Sequence, residues 1–464
     1  NDSYSLNLGF TKYNMPEGGS LILYSPDRKH VMGPFTPADN EDHEQLWTPI
    51  FDGDEMVIEV QIPTTQRQNL DLQLKTINHD FIGFSSMSLL SGSCNLDVIC
   101  GEADGWGIVD GYRDIIQSVA VIGLGGGTFC TGFLVNNARN DCTPFFMTAN
   151  HCGINSGNAA SLVAYWNFEN SVCRQPNSAE SGGGGDGILN DFNTGSIFRA
   201  GYAPSDMTLV ELDDPVSETA NAFFAGWSAE DITPQDTVIC VHHPSTDEKR
   251  ISFEFDPTHV GAWGSGGAEV PGGDHLIVPD WDIGTTEGGS SGSPLFNNEH
   301  QVVGQLHGGG AACGNNSYDS YGWFFTSWEG GGTADSRLKD WLDPDNTGII
   351  TLDGRWAMAC SFFVEATQNT QNICAPDTAF YEFTVSENFL AEVTLSIDDL
   401  PVGVTAGFST NPVLPGGSTT LSIADTETLS SGSYTITVSG TDGTETGSSQ
   451  IFLNISAALP GVAT

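Results

Sequence analysis

The chain has 464 residues, with 59 acidic side chains against 14 basic ones and a formal charge of −45 at pH 7. That balance excludes a basic footprint for DNA or RNA and argues against docking on anionic lipid. The 39% hydrophobic and 10% aromatic content is enough to bury real cores, which acidic disordered tails lack. The length suits about two to four domains, and no apolar run approaches the roughly 18 residues of a membrane span.

In chain order, residues 1–86 read as a small β-sandwich. Leu6, Leu8 and Phe10 alternate along one predicted strand and Leu21–Tyr24 forms a second. A third, Met56–Ile62, sets Met56, Ile58, Val60 and Ile62 on one face. The polar start, Asn1–Ser5, shows no signal peptide, as expected of a chain whose export signal has been removed. Residues 87–358 are glycine-rich and strand-like. Their one helical signal is Ala334–Leu342, where Ala334, Leu338, Trp341 and Leu342 share a face and Asp343-Pro344 ends the run. Residues 359–464 alternate at period two through Tyr381/Phe383/Val385, Val393/Leu395/Ile397, Tyr434/Ile436/Val438 and Ile451/Leu453/Ile455, with turn residues between. That pattern predicts an Ig-like sandwich. The expected class is therefore all-β: a central glycine-rich β core with a short C-terminal helix, flanked by an N-terminal and a C-terminal β-sandwich.

The chain has ten cysteines, none in a CxxC pair and none before Cys94. They read as disulfides, hence an exported protein, secreted or on the cell surface.

Three central segments carry reactive residue types. Phe145-Phe146-Met147-Thr148-Ala149-Asn150-His151-Cys152-Gly153 is an apolar strand ending in a histidine. Ser205-Asp206-Met207-Thr208-Leu209-Val210-Glu211-Leu212 sets an aspartate before an apolar run. Gly288-Gly289-Ser290-Ser291-Gly292-Ser293-Pro294 places a serine in a glycine-lined turn. A serine hydroxyl needs a neutral imidazole to take its proton, and the imidazole needs a buried carboxylate to fix its tautomer. Glycines let backbone N–H groups form an oxyanion hole. The order His, Asp, Ser is that of chymotrypsin-type enzymes.

From Leu89 to Trp356 the sequence resembles the bacterial lysyl endopeptidases, trypsin-like serine proteases of the chymotrypsin fold. The strings that carry this include Ser91-Gly92-Ser93-Cys94-Asn95, Thr148-Ala149-Asn150-His151-Cys152-Gly153, His242-His243-Pro244, Glu248-Lys249-Arg250-Ile251-Ser252 and Gly304-Gln305-Leu306-His307-Gly308-Gly309. The resemblance implies a double β-barrel and cleavage after lysine through an acyl-enzyme. It implies His151 as general base and acid, Asp206 as its orienting partner, Ser291 as nucleophile, and the amides of Gly289 and Ser291 as the oxyanion hole. The pocket acid expected six residues before the nucleophile is replaced by Thr285, and the family's Asp-x-Tyr-Gly string is Asp319-Ser320-Tyr321-Gly322. Asp319 is therefore the expected counter-ion for the substrate ammonium. Trp263 and His307 match a stacked pair beside the triad, with Gly308 next to it and Glu287 at the pocket rim.

The pairings implied are Cys94–Cys313, Cys100–Cys173 and Cys130–Cys152. Four cysteines have no counterpart and three pairings among them are open; Cys360–Cys374 would close a short loop, leaving Cys142–Cys240. The chain departs from the family at Ser88, where maturation would require lysine, in a shorter loop from Cys313 to Asp319, and at Ser290, where trypsin-type zymogens carry aspartate. Residues 1–86 occupy the place of the propeptide.

Other motifs read as structural. His242-His243 lacks zinc spacing. Asp343–Gly354 lacks the twelfth-place glutamate of a calcium loop. Gly182–Gly185 with Asp186-Gly187 reads as a flexible surface loop. No cofactor or metal is expected, and the partners are lysine-containing proteins and peptides met by a monomer. The alternatives are a broader protease that also cuts after arginine and an inactive protease fold used for adhesion.

Overall fold

The computed structural model describes residues 3–80, 90–233, 235–315, 317–357, 362–386, 389, 391–443 and 446–456. Residues 1–357 and 358–464 form two compact units.

At the N-terminus, Ser5–Asn14 pairs antiparallel with Asp71–Asp80, and Leu46–Trp47 and Phe51–Asp52 add to the same sheet. A second sheet joins Val31–Phe35, Ser20–Tyr24 and Val57–Gln61. Leu8, Phe10, Tyr13, Leu21, Leu23 and Phe35 fill the core. Ile58 and Val60 lie opposite the buried Leu23 and Leu21, so they share the predicted face. They stay 39% and 37% exposed because Val57–Gln61 is the sheet's edge strand.

The described residues of the N-terminal segment, 3–80, fall within the same compact unit as the central region. Asn78 Nδ2–H donates to the Gly125 carbonyl at 2.9 Å, and the Ile50 N–H to the Tyr165 hydroxyl at 3.0 Å. His43 Nε2 meets the buried Asp213 carboxylate at 2.8 Å. Burial alone would lower the His43 pKa, but the Asp213 hydrogen bond and the charges of Asp213, Glu41 and Asp42 raise it above 6.5. Burial also raises Glu41 and Asp214, helped by neighbouring carboxylates. All three groups hold protons more tightly in the folded chain, so their stabilisation is lost as pH rises. For His43 the loss begins above 6.5; for the two acids it begins at lower pH. Amide exchange across residues 41–47, corrected for intrinsic rate, is expected to show stronger protection at pH 6 than at pH 8. Equal or greater protection at pH 8 would contradict this reading of the contact.

The central region is built on two large, mainly antiparallel sheets; Gly226–Ser228 joins the second by a parallel pairing with Gln301–Gly309, and Phe223–Phe224 with Arg355–Trp356 forms a small third sheet. The first runs Asp191–Thr194, Leu162–Trp166, Val119–Leu124, Thr128–Leu134, Phe145–Ala149, Met207–Leu212, Ser196–Tyr202. The second runs His259–Gly261, His275–Val278, Asp319–Trp323, Gln301–Gly309, Pro294–Phe296, Val238–His242, Arg250–Glu254, Leu96–Asp97. Strands such as Phe145–Ala149 are buried at every residue, which is why they read as apolar runs rather than alternations. One core holds Val119, Phe133, Met147 and Leu209 of the first sheet with Ile239, Val241, Phe253 and Val302 of the second. The fold is all-β.

The predicted helix is shorter than expected. Only Lys339–Leu342 is helical, and a second short helix spans Phe324–Glu329. Before Lys339, the Thr333 hydroxyl meets Asp335 and Ser336, and the Ser336 N–H bonds the Thr333 carbonyl. Such local bonds offer the backbone an alternative to helix. Leu338 and Leu342 are still fully buried.

Cys94–Cys313, Cys100–Cys173 and Cys130–Cys152 are bonded as expected. The pairs Cys142–Cys240 and Cys360–Cys374 do not form: Cys240 and Cys374 are free thiols, whereas Cys142 is disulfide-bonded. Cys240 is sealed in the core with its Sγ 3.2 Å from the Ser293 hydroxyl. Cys360 lies outside the described residues, as do Ser88 and Leu89.

The Glu248-Lys249-Arg250 string is buried. Asp97 receives Arg174 at 3.0 Å and Arg250 at 2.7 Å, Glu248 takes a second Arg174 contact at 3.2 Å, and Lys249 pairs with Glu169 at 2.8 Å. The Gly182–Gly187 loop is anchored to this cluster, since Arg174 donates to the Gly183 carbonyl and the Gly187 N–H to Glu248.

In the C-terminal unit, Val364–Ala366, Ala379–Val385, Ser418–Ala424 and Thr405–Phe408 form one sheet. Thr370–Cys374, Thr446–Ser456, Gly432–Thr441 and Thr394–Asp398 form the other. The predicted alternation holds along Ala379–Val385, buried at every second residue. Tyr381, Phe383, Leu421, Ile436, Val438, Ile451 and Leu453 fill the space between the sheets.

Candidate active site

Sheet register brings the predicted residues together. Phe145–Ala149 pairs antiparallel with Met207–Leu212, with Ala149 opposite Met207. His151 follows Ala149 by two residues and Asp206 precedes Met207 by one, so both lie at the same end of the sheet. The Asn150 N–H donates to the Asp206 carbonyl at 2.7 Å and fixes that edge. His151 occupies a short 3-10 turn, Asn150–Cys152, closed by Gly153 at φ 87° and stapled by Cys130–Cys152.

Ser291 arrives from the second sheet, three residues before strand Pro294–Phe296. The Thr131 N–H donates to its carbonyl at 2.9 Å, stitching the serine loop to the first sheet. Gly292 must be glycine here: at φ 86°, an added Cβ would lie 2.3 Å from Thr148 Oγ1 and 2.4 Å from the Thr131 carbonyl. Gly289, at φ 92°, is similarly confined against Thr246.

His151 Nε2 lies 2.8 Å from Ser291 Oγ and His151 Nδ1 lies 2.8 Å from Asp206 Oδ2. The other oxygen of Asp206 accepts the His151 N–H at 2.9 Å, and the aspartate is 2% exposed. A hydroxyl within reach of an imidazole backed by a buried carboxylate can be deprotonated as it attacks a carbonyl. The N–H groups of Gly289 and Ser291 have no acceptor among the described residues, which leaves them free for an oxyanion.

His307 stands beside this triad. The strand Gln301–Gly309 shifts register between Leu306 and Gly308, and this bulge re-aims His307. Its ring stacks on Trp263 at 3.7 Å and lies near-parallel to His151 at 5.4 Å. Burial lowers its pKa to about 4. A neutral His307 therefore adds no repulsion when His151 takes a proton. His307 Nδ1 bonds His275 Nε2 at 2.9 Å, and His275 Nδ1 bonds Asp274 at 2.6 Å. Sequence reasoning missed His275 and Asp274, because the strand pairing that brings them here leaves no local motif.

Asp319 begins the strand Asp319–Trp323, opposite Val278 and Gly309. It is 1% exposed. Its Oδ2 accepts the Trp281 indole N–H at 2.8 Å and the Thr286 hydroxyl at 2.6 Å, while Oδ1 has no partner among the described residues. Burial raises its pKa, opposed chiefly by the Thr286 and Trp281 donors. A cation reaching Oδ1 would relieve that penalty. A Cβ at Gly309 would lie 2.3 Å from this oxygen, and one at Gly308 would lie 3.4 Å from the Trp263 ring, so the glycine strip keeps space beside both. Trp281 and Thr286 were also missed; Thr286 adjoins Thr285, the position where the common pocket acid is absent.

Glu287, expected at the pocket rim, clasps neighbouring segments. Its carboxylate accepts the Gly92 N–H at 2.7 Å, Asn95 Nδ2–H at 2.8 Å and the Ser245 hydroxyl at 2.7 Å. Ser290 meets the buried His242 at 2.8 Å. Burial lowers both His242 and His243 to about 3, which fits structural, neutral side chains. Asp343 is satisfied within its own turn by Thr347 and Gly348.

The family described as lysyl endopeptidase, C-terminal domain, matches residues 90–324. A lysyl endopeptidase of Pseudomonas aeruginosa is 28% identical over 284 residues, 58% of this chain and 58% of the relative. The chain thus spans under two thirds of that relative's length. Two similar solved structures are a VesB protease of Vibrio cholerae and a kallikrein-related peptidase 10. The first is 12% identical with a TM-score of 0.30, covering 73% of this chain and 95% of that one. The second is 15% identical with a TM-score of 0.30, covering 46% and 93%.

Proposed function

The chain belongs to the lysyl endopeptidase family through residues 90–324, and we propose that it is a serine endopeptidase cutting on the carboxyl side of lysine. Ser291 Oγ attacks the scissile carbonyl while His151 Nε2 takes its proton, and Asp206 stabilises the imidazolium. The Gly289 and Ser291 amides hold the oxyanion. His151 then protonates the leaving amine, and water, deprotonated by the same imidazole, releases the acid and restores Ser291.

The observation that carries the lysine reading is the half-satisfied carboxylate of Asp319. Trp281 and Thr286 already occupy Oδ2, leaving Oδ1. An ammonium is a point charge that one oxygen can serve, whereas a guanidinium fork favours both oxygens of a carboxylate. The disulfides Cys94–Cys313, Cys100–Cys173 and Cys130–Cys152 fit an oxidising, extracellular setting, and no helix among the described residues is long and apolar enough to cross a membrane. Fluorogenic peptides ending in Lys, Arg or Glu test the reading. The lysyl peptide is expected to be cut fastest; arginine cut equally well would favour a broader trypsin-like enzyme, and glutamate cut best would remove Asp319 from the pocket.

A further inference from the structure

Glu254 ends the strand Arg250–Glu254 and is fully buried, yet its Oε2 has no hydrogen-bond partner among the described residues. Its Oε1 accepts the Asp256 N–H at 2.6 Å. An unpaired buried carboxylate oxygen is costly. Carboxylate oxygens of Glu254, Asp256 and Asp280 lie within 4.8 Å of one another. Asp282 adds a fourth acid close by, its Oδ2 accepting the Phe255 N–H at 3.0 Å. The arginine on the same strand, Arg250, is committed to Asp97 and Asp247.

We propose that Glu254, Asp256 and Asp280, with Asp282 beside them, bind a divalent cation of the calcium type. The donors are all hard oxygens, the set that Ca²⁺ prefers. With Ca–O distances of about 2.4 Å, opposing ligands sit about 4.8 Å apart, as these oxygens allow. A glutamate at a strand end and aspartates on two separate loops, after Glu254 and after Val278, suit the adaptable shell of Ca²⁺ better than the strict octahedron of Mg²⁺.

The site reaches the substrate pocket through one residue. Asp280 and Asp282 flank Trp281, whose indole N–H orients Asp319. The loop is tied back to the strand by reciprocal bonds between Phe253 and Ile283. A cation here braces the loop that carries Trp281.

The test uses the full chain, stripped with a chelator and titrated with Tb³⁺ under tryptophan excitation. Trp281 adjoins the ligand Asp280 in sequence, so bound Tb³⁺ is expected to give saturable sensitised emission that Ca²⁺ displaces, with a Ca²⁺ Kd on the order of 10⁻⁴ M. Glu254→Gln and Asp256→Asn are each expected to weaken binding at least about 10-fold, as loss of one charged ligand does in oxygen-donor sites. Ca²⁺ is expected to raise the thermal midpoint of the native chain and not of these variants. Asp256 is exposed, so Asp256→Asn keeps the test valid if Glu254→Gln fails to fold. Absence of saturable emission, or emission and Ca²⁺ stabilisation unchanged in Asp256→Asn, would overturn the proposal.

Discussion

Replacing Asp319 with asparagine is expected to cut kcat/KM for lysyl peptides about 10³-fold, the cost of removing one partner from a buried ion pair. The amide keeps the shape of the carboxylate and an oxygen for the Trp281 and Thr286 donors. What it loses is the charge at Oδ1, which the substrate ammonium would meet. Peptides with an uncharged residue before the scissile bond are expected to be cut as slowly as before, or somewhat faster. The discriminating quantity is therefore the ratio of lysyl to neutral kcat/KM. A ratio unchanged in the variant would show that the cation is bound elsewhere.

Ser291→Ala is expected to lower kcat by a factor on the order of 10⁶, leaving the slow turnover that an oxyanion hole and binding alone provide. The change should spare the fold. The serine side chain contacts His151, while the bond that stitches its loop to the first sheet uses the backbone carbonyl. Labelling by an organophosphonate should occur in the native chain and vanish in the variant. A native chain that resists labelling would favour the adhesive reading, and a variant that keeps most of its activity would point to another nucleophile.

The contact between Ser291, His151 and Asp206 is foreshadowed in the sequence because each sits at the end of an apolar strand or in a glycine turn. The order along the chain then matched one known arrangement. Asp319 stands out in the sequence because it lies in a short family string. The residues that bond to these groups do not stand out. Trp281 and Thr286 reach Asp319 from 38 and 33 positions away, and His275 reaches His307 across paired strands. The two leftover cysteine pairings failed for a related reason: spacing says nothing of depth, and Cys240 is buried in the barrel with no partner. The bonds of Glu287 to Gly92, Asn95 and Ser245 were likewise not legible, because they join segments far apart in the sequence.

The acidic charge also takes on a narrower meaning. An excess of carboxylates draws cationic substrates at low salt. Only five lysines are present: Lys12, Lys29, Lys75, Lys249 and Lys339. Lys249 is buried and ion-paired, and Lys12, Lys29 and Lys339 are each paired with acids. Under the proposed lysine specificity, the chain thus offers itself few sites.

The most direct test of the central claim is to digest a denatured protein mixture with the native chain and map every new carboxyl terminus. Lysine is expected at nearly all of them. Arginine at comparable frequency, a preference for acidic or aromatic residues, or no cleavage at all would contradict the assignment of the Asp319 pocket to lysine.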